Sequence, residues 1–163
     1  MSQLWGKYRG TVINNVDPMQ MGRLQISCPQ ALGANIMSWA MPCAPFTGMQ
    51  QGFFMMPVIN SKVWVEFENG DTDHPIWVGG FWGPGELPIA ATTPFVHTIK
   101  TALAEVTLND TPGMEGVTLA VGAPGAGATI KLSATGIEIT MGAASVKLDP
   151  VRVTVNNGAL EVI

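Results

Sequence analysis

From about residue 98 to the end of the chain, apolar and polar side chains alternate almost without interruption. Segments 116–122, 128–133, 136–142, 144–149, 151–156 and 159–163 each read as a short strand of period two. Alternation sends one side chain to one face and the next to the other, so each strand offers a single narrow apolar face. Ile137, Ile139 and Met141 fall on one side, with Glu138 and Thr140 on the other. The same division collects Val146 with Leu148, Val151 with Val153 and Val155, and Leu160 with Val162. One copy of such a ribbon has no second layer to cover that face, and its edges are open. Several identical chains closing their ribbons into a β-prism or β-helix would solve both problems, so the pattern predicts a rigid oligomeric rod rather than a catalyst.

The first half carries a different pattern. Strands are expected at 8–14, 23–28, 39–43, 62–68 and 76–82, with turns at 16–22 and 69–75 and a Gly-, Gln- and Met-rich loop at 46–57. Pro42 closes the short third strand. Five short strands and no sustained helical periodicity suit a small barrel of the OB type. The fold class is therefore all-β: an OB-fold domain over 1–82, a Pro/Gly-rich linker over 83–97, and a β-ladder over 98–163.

Composition sharpens this reading. Only 12% of the 163 residues are charged and 47% are hydrophobic, against a typical charged share of about 25%. Surfaces so poor in charge tend to become interfaces. A net charge of −4 and eight scattered basic residues do not suit a general nucleic-acid binder, which needs clustered cations. Cys28 and Cys43 are expected as buried free thiols, although their spacing leaves a disulfide open. The N-terminus lacks a charged region followed by an apolar run, so no signal peptide is expected. No apolar run reaches the ~20 residues of a spanning helix.

Candidate chemistry is thin. His74 lies between Asp71, Asp73 and Pro75, a setting in which Asx-type hydrogen bonds organise a turn. His97 has no carboxylate or thiol beside it in sequence, and no zinc spacing occurs. Glu66 and Glu68 share a strand face and could be paired as in a glycosidase, but a solvated face looks the same. Trp64, Phe67, Trp77, Phe81 and Trp82 could form a base-stacking platform; Trp64 and Trp77 are expected instead to pack the barrel core. No catalytic residue, cofactor site or metal site is expected. Met49, Phe53, Phe54 and Met55 are the expected partner surface, because methionine adapts to a facing protein and phenylalanine anchors it. The competing reading is that they plug one mouth of the barrel.

Gly10-Thr-Val, Asp17-Pro18, Gly22-Arg23-Leu-Gln-Ile and Pro29 open a recognisable order of motifs. Trp39-Ala-Met-Pro42, Gly52, Pro57, Val63-Trp-Val-Glu-Phe-Glu, Gly70-Asp71 and His74-Pro-Ile-Trp-Val-Gly79 continue it. Together they resemble the OB domain of baseplate spikes from contractile injection machines. That family includes the phage baseplate assembly protein V group, the tail spikes of contractile-tail phages and the VgrG spikes of type VI secretion. Thr98-Ile-Lys-Thr, Leu108-Asn-Asp-Thr-Pro-Gly113, Gly136-Ile-Glu-Ile and Gly158-Ala-Leu-Glu-Val162 are similar to the C-terminal part of the protein V group.

The resemblance implies an OB barrel followed by a trimeric β-helical needle. It implies a structural spike at the baseplate of a virion or injection particle, which attaches to a hub at the tail tube and pierces the target envelope. Its expected partners are two further copies, a separate hub protein, a tip-capping protein where the needle is not finished by its own apolar end, and the envelope in passing. No specific nucleic acid is expected. VgrG spikes carry a hub domain before the OB domain, for which the residues before Tyr8 leave no room. Some phage spikes insert a lysozyme-like domain, for which 83–97 is too short, and some end in a metal-binding His-x-His that Asn157 to Ile163 lacks. The ten residues Ile137, Ile139, Met141, Val146, Leu148, Val151, Val153, Val155, Leu160 and Val162 are the expected trimer core. An OB-fold module binding single-stranded nucleic acid or oligosaccharide is the alternative, and a peptidoglycan-cleaving spike using Glu66 or Glu68 is a third reading.

Overall fold

The computed structural model describes residues 3–36, 38–88, 94–123 and 127–162. Internal contacts divide the chain into two units, Met1–Glu86 and Leu87–Ile163.

The first unit is built on β1 (Tyr8–Asn14), β2 (Gln25–Ser27), β3 (Met41–Pro42), β4 (Thr47–Gly48), β5 (Gln51–Gly52), β6 (Lys62–Phe67) and β7 (Pro75–Gly80). Five of these form one sheet in the order β2-β1-β6-β7-β3, in which only the β3–β7 pairing is parallel. Leu24 and Ala40 then exchange both backbone hydrogen bonds, at 3.1 and 2.8 Å. That bridge joins the segment leading into β2 with the segment leading into β3 and closes the sheet on itself. Closure removes the open edges.

Inside lie Val12, Leu24, Ile26, Cys28, Ala40, Val63, Val65 and Phe67, all buried. The period-two rule explains the set: β6 buries Val63, Val65 and Phe67 and turns Lys62, Trp64 and Glu66 outward. At Gly10 the chains pass so closely that a Cβ would overlap the Ile26 Cγ2 methyl. The glycine is thus a packing requirement of the β1–β2 contact.

Several expectations are corrected here. Trp64 is not in the core. It sits on the outer side of β6, with its ring centroid 4.6 Å from that of Phe81 and the Arg9 guanidinium 5.6 Å from each ring. Only Trp77 packs against the core, its Nε1–H donating to the Gly22 carbonyl at 3.1 Å. Both tryptophans alternate with other residues in sequence, but Trp77 stands opposite Val65 in register and Trp64 beside it. Cys43 is exposed, since it follows Pro42 out of the sheet; Cys28 is buried, and both are free. Loop 46–57 contains the β4–β5 hairpin. A single helical turn, α1 (Pro29–Leu32), follows β2 where none was expected, with proline at its start.

The second unit is, among the described residues, one antiparallel sheet of eight strands in chain order: β8 (Val96–Lys100), β9 (Ala104–Asn109), β10 (Gly116–Val121), β11 (Ala128–Ser133), β12 (Gly136–Met141), β13 (Ala144–Leu148), β14 (Val153–Val155) and β15 (Leu160–Val162). β8 starts within the stretch expected as linker. The strand expected from residue 151 starts at Val153. Asp149 Oδ1 accepts from the backbone N–H of Val151 at 2.9 Å and of Arg152 at 3.1 Å, which holds those residues in a turn. Val151 therefore stands outside the sheet.

Candidate functional site

Register turns the ladder into a surface with two chemically different sides. A central row crosses all eight strands: Ile99, Val106, Leu119, Ile130, Ile139, Val146, Val155 and Leu160 are successive cross-strand partners. On the same face a second row runs His97, Leu108, Val117, Leu132, Ile137, Leu148, Val153 and Val162. A third runs Ala104, Val121, Ala128, Met141 and Ala144. Among the described residues of the eight-stranded unit, no side chain is buried. Leu119, Ile130, Leu132, Ile137 and Ile139 are all exposed, and Met141 is 72% exposed. This is a contiguous apolar face that the described residues of the unit leave uncovered.

The opposite face is polar. Thr98, Thr107, Thr118, Lys131, Glu138, Lys147, Thr154 and Glu161 succeed one another across the strands. Opposite charges stand directly across from one another at Lys131–Glu138 and Glu138–Lys147, the arrangement that favours an antiparallel pair. Lys100 pairs with Glu105 at 2.8 Å. That ammonium, helped by the Thr107 and Thr98 hydroxyls, holds the Glu105 carboxyl below its usual range. Arg152 reaches Glu161 at 2.7 Å.

Of the expected core residues, Ile137, Ile139, Met141, Val146, Leu148, Val153, Val155, Leu160 and Val162 lie in the three apolar rows, and Val151 lies in the turn described above. Ile99, Val106, Leu108, Val117, Leu119, Ile130 and Leu132 belong to the same face and were missing from that set, although their alternation is equally plain in sequence.

On the barrel, Phe53, Phe54 and Met55 border an open groove of about 730 Å³ together with Pro42, Cys43 and Met56. Phe53, Phe54 and Met55 are exposed, so they do not plug the barrel. Met49 is 93% exposed in the turn between β4 and β5 and does not border the groove.

The remaining candidates resolve into local structure. Asp71 Oδ1 accepts from the Asp73 N–H at 3.0 Å and its Oδ2 lies 3.1 Å from His74 Nδ1, an Asx turn. The Asp73 and His74 contacts hold the Asp71 carboxyl below its usual range. Glu66 points outward and pairs with Lys7, whereas Glu68 opens the 3₁₀ turn Glu68–Gly70, so the two do not form a carboxylate pair. His97 Nε2 lies 3.7 Å from Asp110 Oδ2, a neighbour the sequence did not reveal. The five aromatic residues do not converge: Phe67 is buried, Trp77 faces inward, Trp64 and Phe81 pack against each other outside, and Trp82 is exposed beyond β7. Among the described residues no group of three or more His, Cys, Asp or Glu could hold a metal ion.

Residues 8–82 match the family model described as the type VI secretion system/phage-baseplate injector OB domain. Residues 96–161 match the phage baseplate V C-terminal trimerisation domain. The two matches follow one another along the chain and meet the two units in turn. No curated protein matches the chain.

Proposed function

The chain belongs to the baseplate spike family of phages and type VI secretion systems, and from that premise we propose that it is the central spike of a contractile machine, fixed to a hub at the end of the tail tube and driven through the target envelope. The family is one of structural baseplate proteins. Its C-terminal unit is a trimerisation domain.

The observation that carries the proposal is the aliphatic face crossing all eight strands. Three copies turning this face inward make a closed prism whose walls are sheets and whose interior is a dry aliphatic core, with the Thr, Lys and Glu face outside. Burial of so much apolar surface drives the association. A prism of this kind suits axial load. Force is shared among many inter-strand hydrogen bonds, and the only remaining edges are at the two ends. The residues assigned to its core are those of the three rows.

Hub attachment is assigned to the barrel. The Phe53–Phe54–Met55 side of the groove offers apolar anchors beside an adaptable methionine surface, the composition from which protein contacts draw most of their binding energy.

Light scattering after size exclusion tests the assembly: a trimer is expected, and a monomer would overturn the spike reading. Imaging of particles assembled with the chain tests its place, with density expected on the tail-tube axis below the hub. Density elsewhere on the particle, or none, would overturn the attachment.

A further inference from the structure

The three rows differ in size in a way that specifies how neighbouring copies meet. The central row is uniformly large. The flanking rows are complementary in β9, β11 and β13. In β9 one end of the inner face carries Ala104 and the other Leu108; in β11 the pair is Ala128 and Leu132; in β13 it is Ala144 and Leu148. β10 has valine at both ends, Val121 and Val117. In β12 both are large, Met141 and Ile137, and the flexible thioether is the residue best able to fold aside. Wherever one row is leucine, the other is alanine.

The first strand follows the same rule with polar groups. His97 opens the large row opposite Leu108. Thr101 donates its backbone N–H to the Ala104 carbonyl at 2.8 Å, which continues the β8–β9 register and puts Thr101 at the head of the small row. The one polar member of each flanking row therefore comes from β8 or the residue that follows it. The small side chains also leave a groove of about 590 Å³ at their end of the strands, bordered by Thr101, Ala104, Val121 and Ala128, and by Glu105, Thr129 and Thr140 from the polar side.

We propose that in the trimer the large row of each chain packs into the small row of the next copy at the same strand level, so that Leu132 of one copy meets Ala128 of its neighbour and His97 meets Thr101. A closed ring is heterologous: each copy offers one surface and receives with another. Rows at the two ends of each strand are the surfaces that meet at the three corners of a prism. Same-level packing gives Leu on Ala at three strand levels of every corner, β9, β11 and β13, and polar on polar at the first level. A shift of one strand in one direction would set His97 against Ala104 and Leu108 against Val121; in the other it would set Val117 against Ala104 and Leu132 against Val121, so either shift loses the match of large to small. This inference rests on the trimeric spike proposed above, and names which of its residues recognise one another.

The test uses disulfide trapping in the full chain carrying Cys43→Ser. Ala128 and Leu132 are about 13 Å apart within one extended strand, beyond the ~7 Å Cα separation that a disulfide spans. Bridging in Ala128→Cys/Leu132→Cys must therefore be between copies. With copper-phenanthroline as oxidant, paired thiols lose two electrons and two protons and a covalent trimer forms on non-reducing gels. The single-cysteine variants give none, and the shifted pair Ala128→Cys/Ile137→Cys gives little.

A trimer by light scattering that bridges at the shifted pair, or not at the level pair, would overturn the corner pairing and leave the trimer intact. A monomeric parent chain would overturn both. Ala128→Leu and Leu132→Ala supply a second reading if the cysteine variants assemble poorly. Too far apart to couple within a chain, they should be additive unless the copies join them. The double variant is expected to recover at least half of the dissociation resistance lost by the weaker single variant, and additive losses would overturn the pairing.

Discussion

Leu148 and Val153 are direct register partners across the β13–β14 hairpin, while Val151, two residues earlier, is held off the sheet by the Asp149 turn. The contrast separates a sheet residue from its neighbour in the same apolar run. Val153→Asp would bring three carboxylates into the apolar interior, at an effective cost of several kcal/mol per ion, and is expected to give monomer by light scattering. Val151→Asp is expected to leave the trimer intact. Equal loss in both variants would place the turn inside the interface.

Gly10→Ala is expected to destabilise the barrel by about 1–3 kcal/mol, the usual range for overpacking a filled core, because the added methyl meets Ile26. Urea unfolding followed by tryptophan fluorescence reads this. Ile26→Ala, which removes the Cγ2 methyl, should cost less in the Gly10→Ala chain than in the parent, so that part of the loss is recovered. No recovery would mean that the strain lies elsewhere.

Asp17 ties the turn between β1 and β2. Arg23 donates to it through Nε at 3.1 Å and Nη2 at 2.7 Å, and the N–H groups of Met19 and Met21 add bonds at 3.0 and 2.8 Å. The Arg23 guanidinium holds the Asp17 carboxyl far below its ordinary value, with those backbone bonds adding to it. A carboxyl depressed in the folded state stabilises the fold above the unfolded value, about 3.9, and that stability is lost as pH falls below it. Asp17→Asn is expected to lower the urea midpoint at pH 7 and to reduce the fall in midpoint between pH 5 and pH 2.5. An unchanged acid slope would assign the loss to other carboxylates.

The two cysteines should separate cleanly by reactivity. Burial raises the Cys28 thiol above its usual pKa and shields it, whereas Cys43 is exposed. Native chain is expected to titrate one thiol with a disulfide reagent, and a second only after unfolding. Loss of the fast thiol in Cys43→Ser completes the assignment; two fast thiols would mean that the barrel opens at Cys28.

Phe54→Ser combined with Met55→Ser changes the groove and no buried core residue. The trimer mass and urea midpoint are expected to stay near the parent values, while incorporation into particles falls at least tenfold. Normal incorporation would move hub attachment to another face of the barrel.

Much of this was legible in the order of residues. Alternation in 62–67 reports which side chains are buried because a strand has only two sides, and Val63, Val65 and Phe67 are indeed inside. The same rule located most of the ladder. It failed where a side chain's fate depends on a partner strand. Trp64 and Trp77 look alike in sequence, yet one stacks outside with Phe81 and Arg9 and the other seals the core with a hydrogen bond to Gly22. Nor does alternation tell a strand from the turn before it. Val151 fits the period, but the Asp149 carboxylate captures its N–H and that of Arg152 and delays the strand to Val153.

Sequence alone determined that the second unit would carry one apolar and one polar face, since period two is a local property of the extended backbone. It also determined the motif order by which the family was recognised. Register was decided only in three dimensions. Hydrogen bonding between strands chooses which residue stands opposite which, and that choice converts scattered Leu and Ala positions into two complementary rows. The Leu24–Ala40 bridge is of the same kind: two residues sixteen positions apart close the barrel, and nothing within either segment announces the other.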